Sequence, residues 1–378
     1  MKLIHLSDLH LGKRFKEVSL LEEQGYILNE ILKIVDEEKP DGVMIAGDVY
    51  DRTVPSGEAV EIFDDFIVKL AKKKIETLII SGNHDSPERL AFGNQLMDVT
   101  GIHLSPVYDG NVKCIELNDE NGQVYIYMMP FVKPANVRRF FPDEEIDSYT
   151  KAMEVAIKNM NVDFNKRNVL MAHQFVTGAT RSESEDVSVG GLDNVDAKVF
   201  DGFDYVALGH IHGPQNMEKG RIRYCGTPLK YSFSEVNDEK SVTIVEIMEK
   251  GNVQVRTVPL KPIRDMVVLK GSFEEVTTKS FYEGTTYQED YVQIVLTDEE
   301  DVPDALSELR TIYHNILFLK YDNTRTKNTS EVELINDIEK KSPLDLFKEL
   351  YQTQNGKEMS DEQVKYIAEL IDEIWGRK

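Results

Sequence analysis

Cysteine is scarce in this sequence, and so are long hydrophobic runs. Only two cysteines occur among the 378 residues, Cys114 and Cys225, and neither has a neighbour at the spacing of a zinc or redox motif. No apolar run approaches the ~20 residues that a membrane helix needs. The first residues run straight into a predicted strand, without the hydrophobic region of a signal peptide. We therefore expect a soluble protein, with no membrane segment, in a reducing cytoplasm.

Positive charge is also in short supply. The chain has 44 Lys and Arg against 67 Asp and Glu, which gives a formal net charge of −23. DNA binding depends largely on neutralisation of phosphates by Lys and Arg, so this balance argues against a chain that binds DNA tightly by itself. Bound divalent cations would offset part of the charge, because the carboxylates that hold them are counted in it.

The chain of 378 residues is longer than the roughly 250–300 residues that usually share a single hydrophobic core, so two or more domains are expected. Strand and helix signals alternate up to about residue 265. Helices are predicted at residues 20–41, ended by Pro40, at 56–74 with Ser56 as N-cap, and at 86–101 between Pro87 and Gly101. Later strands at 123–131, 241–248 and 252–260 follow one another as in a meander and predict a second sheet packed on the first.

Five segments share one pattern, an apolar strand that breaks into a polar loop carrying metal-binding side chains. They are "LIHLSDLHLG", "VMIAGDVYDR", "TLIISGNHDS", "NVLMAHQF" and "YVALGHIHGP". The candidate ligands in them are Asp8, His10, Asp48, Asn83, His173, His210 and His212. Ligands of open α/β sheets gather where strands end, so these side chains are expected to converge in one crevice. They are too many for one ion and suit two divalent ions that share a carboxylate, for which Asp48 is the natural choice.

Each motif alone has an ordinary structural alternative. A lone Asp-x-His also caps turns, and it is the combination of five motifs that favours a metalloenzyme. Two histidines at i and i+2, as in "GHIH", point the same way from an extended segment. The remaining histidines are given structural or surface roles: His5 lies inside a strand, and His103 and His314 have no ligand-like neighbours.

The five motifs, in this order, resemble the calcineurin-like metallophosphoesterases. Within that superfamily, "HQFVTGATRSESE", "VGGLDNV" and "YCGTPLKYSFSE" resemble the SbcD family, the nuclease subunits of bacterial SbcC–SbcD complexes. The resemblance covers residues 1 to about 261 at the level of motifs and continues more loosely to the C-terminus. It implies an α/β fold in which a β-sandwich is flanked by helices, with a small α/β capping domain and a C-terminal helix pair. The expected boundaries are 1–262, 263–330 and 331–378.

The same resemblance assigns the candidate ligands to two metal ions. Asp8, His10 and His212 complete the shell of one ion, and Asn83, His173 and His210 complete that of the other. The donors are nitrogen and oxygen without thiolate, which suits manganese and, with less preference, iron or magnesium. The SbcD resemblance favours manganese.

His84 adjoins a ligand and, by the family pattern, is a catalytic residue. Its imidazolium would stabilise charge on the phosphate and protonate the leaving oxygen. Two roles stay open for Asp85, which either orients His84 or caps the turn. Two also stay open for Arg52, which either clamps a phosphate or pairs with Asp51.

The leading interpretation is a manganese-dependent DNA nuclease. The resemblance implies 3′-to-5′ exonuclease activity on duplex ends and endonuclease activity on single strands and hairpins, in DNA repair and recombination. The alternative is a metallophosphoesterase acting on a small diester, a cyclic nucleotide or a phosphoprotein. The predicted capping domain and tail helices favour the nuclease. A non-catalytic scaffold is disfavoured because every candidate ligand and His84 are present.

The tail of the chain predicts two short amphipathic helices, at 342–356 and 360–375. Their apolar stripes are Leu344, Phe347, Leu350 and Tyr351, and Val364, Ile367, Ala368, Ile371, Ile374 and Trp375. Docking onto a partner helix is preferred over packing on the body, and the resemblance implies the coiled coil of an SbcC-type ATPase. It also implies a homodimer, within a heterotetramer with SbcC. Leu90, Phe92, Leu96 and Met97 are the candidate dimer seam, although an ordinary amphipathic helix explains them nearly as well.

Overall fold

The computed structural model describes residues 1–15, 18–185, 193–323, 344, 347, 348, 351 and 359–375. The strands, in chain order, are β1 Lys2–Leu6, β2 Arg14–Phe15, β3 Val18–Ser19, β4 Gly42–Ala46, β5 Glu76–Ile80, β6 Ile102–Leu104, β7 Lys113–Asp119, β8 Gly122–Met128, β9 Arg167–His173, β10 Phe175–Val176, β11 Asn194–Val195, β12 Tyr205–Gly209, β13 Gln215–Met217, β14 Ile222–Tyr224, β15 Ser241–Ile247, β16 Val253–Pro259, β17 Met266–Gly271, β18 Tyr291–Leu296 and β19 Asn315–Tyr321. The helices are α1 Leu21–Glu38, α2 Gly57–Lys72, α3 Pro87–Leu90, α4 Asn94–Asp98, α5 Pro134–Arg138, α6 Tyr149–Asn159, α7 Phe273–Thr277, α8 Lys279–Tyr282, α9 Ala305–Leu309 and α10 Asp361–Trp375.

Two six-stranded sheets face each other. The first has the order β16-β15-β1-β4-β5-β6 and the second β13-β14-β12-β9-β8-β7. Side chains from both sheets, such as Leu3 and Met44 from the first and Met171 and Tyr205 from the second, fill the layer between them. The outer face of the first sheet is covered by α1 and α2, and that of the second by α6. The predicted β-sandwich flanked by helices is confirmed.

The first two helices have the predicted end signals. At the end of α1, Lys39 adopts a left-handed conformation and donates its N–H to the Val35 carbonyl, and Pro40 follows. At the start of α2, Ser56 Oγ accepts a hydrogen bond from the Ala59 N–H. The third prediction, a single helix over 86–101, is wrong. Gly93 is left-handed with φ 74° and separates α3 from α4, because no helix continues through that backbone conformation.

The later strands divide between the two sheets, which corrects the predicted meander. β8 lies in the second sheet, but β15 pairs antiparallel with β1, and β16 forms a hairpin with β15. These two strands therefore widen the first sheet. Alternation along a strand indicates which face is buried, but it does not indicate which neighbour the strand pairs with.

A third sheet of three parallel strands, β17-β18-β19, packs beside the sandwich. Helices α7 and α8 lie between β17 and β18, and α9 lies between β18 and β19. Parallel neighbours require such a crossover, and the capping box of Ser272 and Glu275 begins it. The layer has its own apolar core around Val292 and Leu309. It also contacts the sandwich, where the rings of Phe15, Phe233 and Phe318 meet edge to face.

In the tail, α10 corresponds to the second predicted amphipathic helix, and the reciprocal hydrogen bonds of Ser360 and Gln363 form its predicted capping box. Tyr366 on this helix is 62% exposed. Most of the first predicted tail helix, including Leu350, lies outside the described residues, as do the side chains of Ile374 and Trp375. Among the described helices, none combines the length and the hydrophobicity of a membrane span.

Candidate metal centre

The five predicted segments meet at one edge of the sandwich. β1, β4 and β5 are neighbours in the first sheet and β9 and β12 in the second, and the candidate donors lie at the carboxyl end of each strand. Hydrogen bonds continue the first sheet past its last residues, from Asp8 N to Gly47 O and from His10 N to Asp48 O, both 3.0 Å. The loops thus lie side by side, and every candidate ligand lies in this one region.

One group of donors comprises Asp8, His10 and His212, whose ligand atoms all lie within 4.8 Å of one another. The Nε2 atoms of His10 and His212 are 3.1 Å apart. The Asp8 carboxylate accepts hydrogen bonds from the backbone N–H of His210, at 3.0 and 3.2 Å, and from Ser7 Oγ. All three donors are buried.

Asp48 lies between this group and a second one. Its Oδ2 is 3.7 Å from His10 Nε2 and 3.3 Å from His173 Nε2. Asn83 Oδ1 lies 3.0 Å from His173 Nε2 and 2.9 Å from His210 Nδ1. The second group is therefore Asn83, His173 and His210, and Asp48 has the position that a bridging ligand needs.

The backbone at four of these donors is left-handed, with φ 53° at Asp8, 44° at His10, 50° at Asp48 and 94° at His210. Such conformations cost a non-glycine residue about 1–3 kcal/mol and persist only where the surrounding structure enforces them, often at functional sites. Their concentration at the candidate ligands indicates a functional site independently of the sequence motifs.

Two glycines allow the donors to approach the backbone closely. A Cβ at Gly82 would lie 2.0 Å from Asp48 Oδ1, and a Cβ at Gly47 would lie 2.3 Å from His173 Nδ1. Any other residue would displace Asp48 or His173. Gly47 also has φ 91°, which other residues rarely adopt.

Burial and neighbouring charges set the protonation of the donors. Burial lowers the pKa of His10 well below its ordinary value and that of His210 to about 3. Burial also acts against protonation of His173, but the Asp48 carboxylate outweighs it and raises the pKa of His173 to about 9. The pKa of Asp8 is raised, mainly by burial. Metal ions bind neutral imidazoles, so His10 and His210 are already in the binding state, whereas an ion at His173 would displace its proton.

His84 lies at the rim of the site, next to both groups. Its backbone N–H donates to Asp48 Oδ1 at 2.9 Å, and its Nδ1 lies 3.1 Å from the Asp51 carbonyl oxygen. Its Nε2 is 4.0 Å from Asp48 Oδ2. The potential ligand atoms of His84, His10 and Asp48 all lie within 4.8 Å of one another. His84 could therefore bind a metal ion instead of acting as a catalytic residue.

The alternatives for Asp85 are distinguished by its contacts. Its carboxylate accepts hydrogen bonds from the backbone N–H groups of Gly82 at 2.9 Å, Val49 at 3.1 Å and Tyr50 at 2.9 Å. Burial is the main reason that the pKa of Asp85 rises to about 6. These bonds favour the turn cap over a partner for His84, whose Nδ1 faces the Asp51 carbonyl group.

Arg52 lies outside the cluster of donors. Its side chain is 77% exposed, and its Nε is 3.9 Å from Asp51 Oδ2. Asp51 also pairs with Lys13 at 2.8 Å. These contacts favour the salt bridge over the phosphate clamp.

The residues that position the candidate ligands through hydrogen bonds were not identified from the sequence. Gln24 is buried, and its Nε2 donates to the His10 carbonyl oxygen at 2.7 Å. Ser184 Oγ is 2.6 Å from His212 Nδ1 and 2.5 Å from Glu235 Oε1. Burial alone would raise the pKa of Glu235, but the nearby His212 ring, with Nδ1 3.7 Å from Oε1, and the charge of Lys240 lower it to about 2. Ser184 and Glu235 lie in two segments quoted above for their resemblance, without a role assigned to them.

Aromatic and basic side chains border the second group. The ring of Phe131 lies parallel to that of His210, with centroids 6.5 Å apart, and edge-on to that of His173. Arg181 lies over the ring of Phe175 at 3.7 Å and pairs with Asp193 at 2.7 Å. Phe175, Arg181 and Asp193 lie in the segments quoted above for their resemblance, where no role was assigned to them.

The donor set fits divalent ions. Every donor is nitrogen or oxygen, as manganese, iron and magnesium accept. The Nε2 atoms of His10 and His212 face each other at 3.1 Å beside two buried carboxylates. Cations between these atoms would relieve the desolvation of the carboxylates.

The other histidines have the structural or surface contacts that the sequence predicts. His5 is buried between the sheets, with Nδ1 2.9 Å from the hydroxyl group of Tyr205, and burial lowers its pKa to about 3. His103 lies between Asp98 and Glu76, at 2.8 and 2.9 Å.

Two protein families match parts of the chain. The calcineurin-like phosphoesterase family matches residues 1–214. The type 5 capsule protein repressor C-terminal domain matches residues 262–355. The first match covers both groups of candidate ligands.

Whole-length relatives are found among curated proteins. A protein of Staphylococcus epidermidis, named as the SbcD subunit of the nuclease SbcCD, is 32% identical over 385 residues, with 100% of both chains covered. One of the same name from Staphylococcus saprophyticus is 33% identical, with 98% of both chains covered. Among solved structures, TT1561 of Thermus thermophilus is 12% identical with a TM-score of 0.39, covering 68% of this chain and 98% of that chain. The Escherichia coli phosphoesterase Yfce is 12% identical with a TM-score of 0.29, covering 69% and 100%.

Proposed function

This chain belongs to the calcineurin-like phosphoesterases and, within them, to the SbcD family of metal-dependent nucleases, and we propose that it hydrolyses phosphodiester bonds of DNA. The observation that carries the proposal is the position of Asp48. It lies between two groups of donors, 3.7 Å from a nitrogen of one and 3.3 Å from a nitrogen of the other. Paired divalent ions on a shared carboxylate are typical of enzymes that hydrolyse phosphate esters.

The proposed ligands are those that the sequence predicts. Asp8, His10 and His212 would hold one ion, Asn83, His173 and His210 would hold the other, and Asp48 would be shared between them. Manganese is the proposed metal, because the set combines imidazole with oxygen donors and has no thiolate. When bound, two such ions supply Lewis-acid polarisation of a phosphate and lower the pKa of water.

The protein's own part in the chemistry is to hold these groups in place and to supply a proton donor. With Nδ1 of His84 donating to the Asp51 carbonyl oxygen, Nε2 is the ring atom on the side of Asp48. A proton held at that atom would reach an oxygen of the scissile phosphate or of the leaving group. General acids of this kind typically contribute about a hundredfold or more to the rate.

The finer activities also belong to the proposal. They are 3′-to-5′ exonuclease activity on duplex ends and endonuclease activity on single strands and hairpins, in DNA repair and recombination. Their support is the family membership and the whole-length similarity to proteins named as the SbcD subunit of the nuclease SbcCD. Of the two roles considered for Arg52, its contact with Asp51 disfavours the clamp that a phosphomonoesterase would use.

One assay tests the function. Purified protein with manganese is given labelled hairpin DNA, bis-para-nitrophenyl phosphate and para-nitrophenyl phosphate, with Asp48→Ala as the inactive control. We expect cleavage of the hairpin and of the diester, and little hydrolysis of the monoester. Hydrolysis of either nitrophenyl ester without DNA cleavage would instead favour the alternative, a metallophosphoesterase acting on a small diester, a cyclic nucleotide or a phosphoprotein.

Partners complete the proposal. We assign residues 1–262 to the nuclease domain, 263–330 to a capping domain and 331–378 to a helical element that docks on an SbcC-type ATPase. The dimer seam is proposed at the segment of α3 and α4, where Phe92, between the two helices, is 85% exposed and Leu96 is 77% exposed. Leu90 and Met97, by contrast, pack against the core. The cytoplasmic location remains a prediction from the sequence.

A further inference from the structure

Two segments that are far apart in the chain meet behind His212. Ser184 Oγ lies 2.6 Å from His212 Nδ1. The same hydroxyl group lies 2.5 Å from Glu235 Oε1, although Ser184 and Glu235 are 51 residues apart. The side chain joins a candidate ligand to a carboxylate that does not itself reach the centre.

The direction of these hydrogen bonds follows from the donors available. Glu235 is held as a carboxylate by Lys240, whose Nζ is 2.7 Å from Oε2, so it accepts a hydrogen bond from Ser184. The single proton of the Ser184 hydroxyl group is then used, and its oxygen accepts from His212 Nδ1–H. The Nε2 of His212 is left with its lone pair, on the side where it faces His10 Nε2 at 3.1 Å.

The carboxylate is fixed from several sides. Glu235 is fully buried and Lys240 nearly so. Glu235 Oε2 also lies 3.3 Å from the N–H of Tyr231, and Lys240 Nζ donates to the carbonyl oxygen of His212 at 2.9 Å. Both the ring and the backbone of His212 therefore depend on the Glu235–Lys240 pair.

The other ring donors are held differently. His173 Nδ1 donates to the Ala46 carbonyl oxygen at 2.8 Å, and His210 Nδ1 lies 2.9 Å from Asn83 Oδ1. Among the described residues, the relay through a hydroxyl group to a buried carboxylate is found only behind His212.

We propose that Glu235 is a positioning residue for His212 that acts through Ser184, fixing the ring's tautomer and orientation for the ion position of Asp8, His10 and His212. The inference rests on the proposed function only in taking these residues as metal ligands. Carboxylates behind a metal-binding histidine fix its orientation and raise its basicity, and their loss commonly costs about 10–100-fold in affinity. The second ion position lacks this support, so the effect should be confined to one of the two ions.

The test measures metal binding rather than cleavage. The full-length chain is stripped of metal and titrated with manganese by calorimetry and with cobalt by absorption spectroscopy. The variants are Ser184→Ala, Glu235→Gln and Ser184→Thr, which keeps the hydroxyl group. Ser234→Ala is the matched control, because Ser234 lies in the same turn and bonds to Ser232 and to the N–H of Glu183.

For Ser184→Ala and Glu235→Gln we expect one of two manganese affinities to fall about 10–100-fold, with the other unchanged and with altered cobalt bands. Ser184→Thr and Ser234→Ala should bind both ions as the wild type does. If Glu235→Gln fails to fold because Lys240 loses its partner, Ser184→Ala decides alone. Wild-type affinity for both ions in Ser184→Ala, or an equal loss at both positions, would overturn the inference. A wild-type protein that binds two ions but leaves DNA intact would defeat the proposed function instead.

Discussion

Glu23 and Gln24 are consecutive residues at the start of α1, and their side chains contact two different parts of the protein. Gln24 Nε2 donates to the carbonyl oxygen of His10 at 2.7 Å. Glu23 is paired with Arg264 and lies 3.4 Å from the hydroxyl group of Tyr291, which begins a strand of the third sheet. One turn of helix therefore joins the loop of a candidate ligand to the third sheet.

We predict that Gln24→Ala weakens metal binding and lowers stability. The substitution removes one of two hydrogen bonds to the His10 carbonyl oxygen, the other coming from the Lys13 N–H. Its loss costs about 0.5–1.5 kcal/mol, and the left-handed backbone at His10 loses a support. Thermal unfolding and manganese titration check the result. The matched control is Asn29→Ala, which removes an exposed side-chain amide bond to Gly25 on the same helix. Wild-type affinity in Gln24→Ala would show that the loop holds His10 without this side chain.

For His84→Gln we predict intact metal loading and turnover that is lower by about a hundredfold, the scale of a positioned acid. Glutamine keeps a polar group near Asp51 but has no ring nitrogen to carry the proton. Asp48→Ala should lose metal, because Asp48 contacts both groups. Metal content is measured by atomic absorption and turnover on bis-para-nitrophenyl phosphate. Equal metal loss in both variants would identify His84 as a ligand.

Metal removal should destabilise the protein. Asp8 and Asp48 are buried near each other, and the pKa of Asp8 is raised by that burial. Ions that bind only the folded state stabilise it by about 2.7 kcal/mol at a concentration of 100 times Kd. We expect the unfolding temperature to fall on treatment with EDTA and to recover with manganese. The Asp48→Ala variant is the control, and its unfolding temperature should respond little to either reagent.

The sequence predicts that the candidate donors lie close together, because each of them lies next to a strand end. The apolar run before Asp48 or His210 is a local signal, and parallel strands bring such ends to one edge. The residues that position the candidate ligands are, by contrast, distant from them in the sequence. Ser184 is 28 residues from His212 and 51 residues from Glu235, and nothing in the spacing of these residues indicates the contact.

The errors in the fold have the same origin. The periodicity of 86–101 is helical, but the left-handed Gly93 divides the segment. The alternating pattern of β16 identifies a strand, whereas its place at the edge of the first sheet depends on pairing with β15. Local patterns determine the type of an element, and tertiary pairing determines where it lies.

The proposed dimer seam makes a direct prediction. Phe92→Glu combined with Leu96→Glu should convert a dimer into a monomer, because both side chains are largely exposed and would place charges in the apolar contact. Light scattering at micromolar concentration measures the mass. Val268→Glu, at an exposed apolar position on β17, is the control and should leave the mass unchanged. A wild-type protein that is already monomeric there would contradict the seam.

The tail prediction separates docking from catalysis. Deletion from about Lys340 onward should leave both metals bound and cleavage of small substrates nearly normal, because the proposed ligands all precede Gly213. Association with an SbcC-type ATPase should be lost. Burial of each large apolar side chain contributes roughly 1.5–3 kcal/mol, and a micromolar complex is worth about 8 kcal/mol in total.

A full-length variant gives the sharper form of the same test. Phe347→Glu with Ile367→Glu should abolish pull-down of the ATPase without shortening the chain, since Phe347 lies on the exposed surface and Ile367 is only half-buried. Lys348→Gln with Lys365→Gln is the matched control, because it alters polar positions in the same two segments and should leave pull-down intact. If the apolar double variant still binds, these stripes pack on the body of the protein, and the docking surface lies elsewhere.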